Sequence, residues 1–388
     1  MNILLISPAT PSTFWSFKHA VRFVSKRSAF PPLGLLTVGA MLPRHWKLKL
    51  VDMDATALTD PDLLWADYVM VSAMLVHRDS VAEIARRCQA HCKPVIAGGP
   101  LFSTVYEDFP SIGHIVSGEA EEIMPRLVQD MLQGGPARRY ECRNRPDISK
   151  SPVPRWDLVD PRHYASLSVQ FSRGCPYNCE FCDIIVLNGR VPRTKPPQQL
   201  LNELDGLHAL GWKRSVFLVD DNFIGNKKKV KQLLRAIIEW RRRTRARMDF
   251  FTEASVNLSD DDELLDLMAQ AGFKKVFLGI ETPETESLKE CHKLQNTRRN
   301  LVTSVRRIQN AGMQVMGGFI VGFDHDGPDI FRRQFEFIQR AGVVTAMVGI
   351  LTAVPKTRLY KRLMAEGRLL AESTGNNTEA VVNFVTKL

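Results

Sequence analysis

The chain has 388 residues, 44% hydrophobic and 24% charged, which is ordinary globular composition and too long for one typical domain. No apolar run is long enough to span a bilayer, and the opening MNILLISPATPSTFW lacks the basic region and cleavage site of a signal peptide, so a cytoplasmic protein is expected. The net charge of +10 admits an anionic partner, but no zinc-finger or RNA-recognition signature accompanies it, and no nucleic acid is expected.

Strand and helix patterns alternate over the first 135 residues. Strands are expected at 2–6, 47–51, 68–72, 94–97 and 114–116, and helices at 32–42, 80–91 and after SGEAEE. Five short strands separated by helices imply an α/β fold with a doubly wound, Rossmann-like parallel sheet, whose ligands bind at the carboxyl ends of its strands. Residues 136–167, rich in Pro, Arg and Asp, read as a linker. Alternation resumes with strands at 168–172, 215–219, 249–254, 275–280, 315–321 and 344–350, and helices at 197–210, 227–243, 260–271, 298–311 and 328–341. Six β/α units over 168–351 imply a partial parallel (β/α)6 barrel with its chemistry at the strands' carboxyl ends. The tail, 352–388, opens with TAVPKTRLY and a short helix, and reads as the start of a third region that is cut short. The basic runs RRRTRAR (241–247) and 138–145 read as a solvated helix face and a surface linker; the alternatives are nucleic acid, an anionic membrane surface or an acidic protein partner.

The stretch SRGCPYNCEFCDI (172–184) places Cys175, Cys179 and Cys182 just after the first barrel strand, in a chain with seven cysteines. In a reducing compartment structural disulfides are disfavoured, and clustered thiols more often bind metal or do chemistry. Gly174, Pro176 and Asn178 make this a loop, which argues against chance clustering in a core. Three thiolates on one loop suit three irons of a [4Fe–4S] cluster and leave the fourth iron open. Zinc needs four ligands, and neither His163 nor His208 has the spacing; Cys291 is more than a hundred residues away.

RGCPYNCEFC resembles the signature of radical S-adenosylmethionine (SAM) enzymes, C-x3-C-x-aromatic-C, with Phe181 as the aromatic residue. VDDNFIGN (219–226), TEASVNL (252–258), LGIETP (278–283) and GGFIVGFD (317–324) continue the likeness strand by strand. The resemblance implies that SAM chelates the open iron and is cleaved by one electron, from a donor such as flavodoxin or ferredoxin, to a radical that takes hydrogen from substrate. It also implies that Phe181 lies near the adenine, that Gly318 and Gly322 let backbone approach it, and that Asp221, Asn222, Glu253 and Glu281 contact cofactor or substrate. Each of those four polar residues has a plain alternative as a cap on the helix after its strand.

A doubly wound domain before such a barrel resembles the cobalamin-binding domains of one subgroup of this family. The cobalt-ligating Asp-x-His-x-x-Gly motif is missing, as it often is in that subgroup. The resemblance implies that Met74, Leu75 and Val76 face the corrin and that Gly98, Gly99, Gly118 and Glu119 line its rim and nucleotide tail. His77 is the strand-end histidine within reach of cobalt, although a lone loop histidine is more often polar surface; His19, His45, His91 and His114 have no stronger case. Cys88 and Cys92, at i and i+4, read as small core residues rather than a metal pair.

The whole resembles cobalamin-dependent radical SAM methyltransferases, nearest to those that modify hopanoids or bacteriochlorophyll-type tetrapyrroles. This implies C-methylation of an unactivated carbon, with methyl passing from SAM through cobalamin to an apolar small-molecule substrate. A non-methylating relative, such as an oxidative cyclase or ring-contracting enzyme, shares every motif. A non-enzymatic iron–sulfur or corrinoid carrier is the reading from another class.

Overall fold

Apolar strands alternating with amphipathic helices build two parallel sheets, each in its own compact unit, one formed by Met1–Ser168 and the other beginning at Val169. The structure is a computed structural model and describes residues 1–12, 16–142, 144–371, 373, 375 and 382–387.

In the first unit the strands are β1 (Asn2–Ser7), β2 (Lys47–Asp52), β3 (Tyr68–Ser72), β4 (Val95–Gly98), β5 (His114–Ser117) and β6 (Arg139–Glu141). Their order is β2-β1-β3-β4-β5-β6, and every pairing is parallel. Residues 3–6 of β1 are fully buried, as a central strand covered on both faces requires. Parallel register sets the carboxyl ends side by side: Ser7 opposite Asp52, Ser72 opposite Gly98, and Ser117 opposite Glu141.

The sixth strand is a correction to the expected linker. Tyr140 is buried and its hydroxyl donates to Asp130, while Arg139 and Glu141 face solvent. The basic run here is structural as well as solvated. Arg138 donates to the carbonyls of Pro110, Ile112 and Gly113, and Arg139 lies 4.3 Å over the Tyr106 ring. Farther along, Trp156 and Tyr164 are buried, so much of 136–167 packs as part of this unit.

The second unit's six-stranded sheet runs β14-β13-β12-β11-β10-β7. It comprises β7 (Leu167–Val169), β10 (Val216–Leu218), β11 (Phe250–Ala254), β12 (Phe273–Glu281), β13 (Gln314–Val321) and β14 (Thr345–Ile350), and the pairings from β10 to β14 are parallel. The expected first strand is in fact two elements. After β7 the chain forms β8 (Ser172–Arg173), which pairs antiparallel with β9 (Arg193–Thr194). This short ribbon closes the excursion that carries the three cysteines. The tail does not stop after its helix, Arg358–Ala365: Leu369 bridges Phe384 antiparallel, and the Asn383 side chain brackets Ala353 through both its N–H and its C=O.

Candidate functional site

Cys175, Cys179 and Cys182 all line one cavity of about 200 Å³ at the carboxyl ends of the second unit's strands. The loop that carries them is fixed from several directions. Gly174 has φ +98°, and a Cβ there would meet the carbonyl oxygens of Gly189 and Val191 at 3.0 Å, so only glycine fits. The Gly174 N–H donates to Asp221 Oδ2 at 2.6 Å, and the Cys175 N–H donates to the Gly189 carbonyl at 3.1 Å. Asp220, just before, is buried and accepts from the Phe171 N–H at 2.8 Å and the Ser172 hydroxyl at 2.6 Å. Burial raises its carboxyl to about 7.

Among the described residues no three His, Cys, Asp or Glu side chains converge as ligands of a single ion do. A cuboidal cluster makes a different demand. It takes one thiolate on each of three irons, so the cysteines need only surround one cavity, and these do. Two amides approach the sulfurs: Asn222 Nδ2 lies 3.7 Å from Cys175 Sγ and Gln295 Nε2 lies 3.9 Å from Cys179 Sγ. Burial pushes the Cys179 and Cys182 thiols up, so they stay protonated until a metal displaces the proton. The donor set fits an iron–sulfur cluster.

The four polar residues expected at the site behave differently from one another. All four line the cavity. Asp221 is spent on the loop, accepting from Gly174 and from Asn188 Nδ2 at 2.9 Å. Asn222 faces Cys175 and is tied to Ser255. Glu281 caps no helix; its carboxylate accepts from Lys293 Nζ at 2.6 Å, and both residues are buried. Its φ of +67° and the register break between Gly279 and Glu281 bend the end of β12 to make that pair. The side chain of Glu253, on β11, makes no hydrogen bond or ion pair with another described residue. Burial, then the charges of Asp221 and Asp220, raise its carboxyl to about 7. A half-buried acid without a partner, facing a cavity, is available to a ligand's donors.

Phe181 lines the same cavity, with its ring 6.4 Å from that of Phe323. Gly318 and Gly322 are not among the cavity's lining residues. A Cβ at Gly318 would strike the Phe277 ring at 2.7 Å, so this glycine admits that ring, and Phe277 in turn lines the cavity. Gly322, at φ +105°, turns the chain after β13 and donates to Asp326 at 2.8 Å. Sequence reasoning missed Tyr177, Ser255, Lys293 and Gln295 as lining residues. Tyr177 and Ser255 lay inside quoted motifs; Lys293 and Gln295 come from the segment after β12, and no local pattern marks them.

In the first unit, loops 74–76, 98–99 and 118–119 follow β3, β4 and β5 at the carboxyl edge of the sheet. Met74 is exposed, Val76 is half-buried and Leu75 is buried. Gly99, at φ +92°, would bring a Cβ within 2.8 Å of the Ala73 carbonyl oxygen, and Gly118, at φ +97°, within 2.6 Å of that of Cys142. Both are glycines because backbone crosses backbone there, and a glycine-edged rim suits the polar side arms of a flat corrin. His77 is buried with both ring nitrogens engaged: Nδ1 accepts from the Met74 N–H at 3.2 Å, and Nε2 lies 3.2 Å from Thr10 Oγ1. Thr10 donates onward to Asp54 Oδ2 at 2.6 Å. Cys88 is fully buried, with its thiol raised to about 11, but the helix ends at Ala90 and Cys92 is exposed at φ +51°, so only Cys88 is a core residue.

Among the described residues no helix is long and apolar enough to cross a membrane. Three family profiles match: the radical SAM superfamily over residues 169–338, a B12 binding domain over 21–128, and a domain of unknown function over 357–388. An uncharacterized methyltransferase of Synechocystis is 46% identical over 99% of this chain and 72% of its own length. The hopanoid C-2 methylase of Rhodopseudomonas palustris is 36% identical over 99% of this chain and 73% of its own. Among solved structures, the cobalamin-dependent SAM radical enzyme OxsB, with aqua-cobalamin and SAM bound, covers all of this chain at a TM-score of 0.77 and 17% identity; this chain spans 64% of that one. The chain belongs to the family of radical SAM methyltransferases that carry an N-terminal B12-binding domain.

Proposed function

We propose that this protein is a cobalamin-dependent radical SAM C-methyltransferase acting on an unactivated carbon of an apolar, polycyclic small molecule of the hopanoid or tetrapyrrole kind. The observation that carries it is the single cavity lined by all three cysteines of the C-x3-C-x2-C loop and by the unpartnered carboxylate of Glu253. The relatives' names support the methylase reading.

In this reading Cys175, Cys179 and Cys182 would hold the iron–sulfur cluster, leaving room in the cavity for SAM beside it. When bound, the cluster supplies one electron for cleaving SAM, and cobalamin supplies the methyl carrier. The chain's own residues do the rest. Asn222 and Gln295 donate towards sulfur and moderate the charge on the thiolates. Glu253 accepts from SAM's ammonium or hydroxyl groups. Phe181 and Phe277 wall the cavity and keep water from the reactive centre. Loops 74–76, 98–99 and 118–119 of the first unit hold the corrin.

A one-electron donor such as flavodoxin or ferredoxin completes the cycle. A transient membrane-surface contact is assigned to Phe23 and Val24, 92% and 54% exposed, with Arg22 just before them and Lys26 two residues after. Apolar side chains flanked by cations suit an anionic lipid surface. Seven free cysteines among the described residues favour a reducing, cytoplasmic setting.

The test is anaerobic reconstitution with iron, sulfide and cobalamin, followed by turnover with SAM, reductant and a triterpenoid substrate. A methylase makes 5′-deoxyadenosine and S-adenosylhomocysteine together with methylated product. 5′-Deoxyadenosine without S-adenosylhomocysteine would replace methylation with another radical reaction. Equal 5′-deoxyadenosine from a Cys179→Ala protein would remove the enzyme reading.

A further inference from the structure

Glu180 lies between Cys179 and Cys182 and is only 5% exposed. A carboxylate buried within the cysteine loop is electrostatically costly unless a cation is fixed against it. That cation is Arg362, on the helix Arg358–Ala365, about 180 residues away in sequence. Its Nε donates to one Glu180 oxygen at 2.7 Å and its Nη2 to the other at 3.2 Å, the two-pronged geometry that fixes orientation as well as charge.

The Glu180 backbone is held from the same side. Its N–H donates to the Cys291 carbonyl at 2.9 Å, and its carbonyl accepts from the Leu359 N–H at 3.0 Å. Beneath them Leu359, Leu363, Leu351 and Phe384 form an apolar cluster against which Phe181 packs. A second arginine, Arg368, pairs with buried Asp324 and keeps that acid from competing fully for Arg362, whose Nη1 lies 3.5 Å from it.

We infer that the helix Arg358–Ala365, backed by Phe384, serves as the brace of the cluster loop, with Arg362 the positioning residue that sets Cys179 and Cys182 by neutralising and orienting Glu180. This gives a role to the part of the chain that matches only a domain of unknown function. It rests on the cluster reading proposed above. The charge argument has a sign. Removing the guanidinium leaves an unneutralised carboxylate on the residue next to Cys179, and the added negative charge drives the cluster's reduction potential more negative. Removing the carboxylate does the opposite. A segment that merely contributes stability moves neither.

The test compares anaerobically reconstituted full-length wild type, R362M, R362K, E180Q and the R362M/E180Q double variant. The readouts are iron and sulfide per chain, the electron paramagnetic resonance signal after dithionite, the midpoint potential, and far-ultraviolet circular dichroism. R362M is expected to bind less than half the wild-type iron, or to hold it at a more negative potential. R362K should be intermediate, and the double variant should recover most of the iron. E180Q should load fully with a more positive potential. If R362M does not fold, the E180Q shift decides alone. Unchanged iron, signal and potential in R362M, or no shift in E180Q, overturns the brace. Wild type that binds no iron removes the cluster reading instead.

Discussion

The amide of Asn222 points its Nδ2 at the sulfur of Cys175, 3.7 Å away, while the same side chain exchanges hydrogen bonds with Ser255 at 3.2 and 3.3 Å. A residue at the end of one barrel strand thus ties the first cysteine to the end of the next. An N–H donor at a cluster thiolate stabilises the more negative oxidation level. Asn222→Ala should therefore make the cluster harder to reduce, and, by leaving the buried Ser255 N–H without its acceptor, cost about 1–3 kcal/mol of stability. A redox titration followed by electron paramagnetic resonance checks the first effect and a thermal melt the second. A potential that rises or stays fixed would count against the donor role.

Unpartnered Glu253 calls for a ligand-side test. Asp221 is occupied by Gly174 and Asn188, and Glu281 by Lys293, which leaves Glu253 as the cavity acid with free accepting capacity. Glu253→Gln keeps the shape and removes the charge, so it should weaken SAM binding by about tenfold, the loss expected when one charge-assisted hydrogen bond of about 1.5 kcal/mol is removed. The cluster's iron content should not change. Equal SAM affinity measured by equilibrium dialysis on the reconstituted protein would assign Glu253 to the substrate instead.

Much of this was legible in the sequence because it is local. The strands carry apolar runs such as those of β1 and β3, and the cysteine motif is eight residues long. What was not legible depends on distance or brevity. β8 and β9 are two residues each, too short for any period, yet they close the cysteine loop. β6 hid in an arginine- and proline-rich stretch because one buried side chain, Tyr140, is all it offers to the core. Lys293 and Arg362 reach their carboxylates from twelve and about 180 residues away, and nothing in a charged residue on a helix announces a buried partner.

In the first unit, Asp52 at the end of β2 is 5% exposed, and its carboxyl is raised to about 6 by burial, against which the Asp54 N–H and the Tyr164 hydroxyl donate. A raised carboxyl binds its proton more tightly folded than unfolded. The folded state is therefore favoured below the ordinary carboxyl range and loses that advantage as pH rises from about 4 to about 6. The two-unit shift corresponds to roughly 3 kcal/mol. Melting midpoints across that window should fall in the wild type and flatten in Asp52→Asn. An identical slope in both proteins would mean that another group dominates.

His77 cannot ligate cobalt while Nδ1 holds the Met74 N–H and Nε2 faces Thr10. Cob(II)alamin bound to this protein should show no nitrogen splitting from an axial imidazole. His77→Ala should leave that spectrum unchanged but loosen the 74–76 loop, lowering cobalamin affinity by about fivefold for a lost hydrogen bond of about 1 kcal/mol. A nitrogen-split signal that disappears in His77→Ala would instead make this histidine the ligand.

Lys293 and Glu281 make the most consequential buried pair at the cavity. Burial disfavours the ammonium, but the Glu281 carboxylate and then the Cys179 sulfur hold it charged, well above the ordinary lysine value. Both side chains are 10% exposed or less. Removing one partner of such a pair strands the other, at about 3–5 kcal/mol. Lys293→Met should therefore destabilise by that order, whereas Lys293→Met with Glu281→Gln should recover much of it, since neither change then leaves a buried charge. The pair also bears on the cluster. The Lys293 ammonium favours electron uptake at Cys179 and the Glu281 carboxylate opposes it more weakly, so the double variant, although folded, should hold its cluster at a slightly more negative potential than the wild type. Recovered stability with an unchanged potential would confine the pair to holding the bend at the end of β12; recovered stability with a lowered potential gives Lys293 an electrostatic role in reduction.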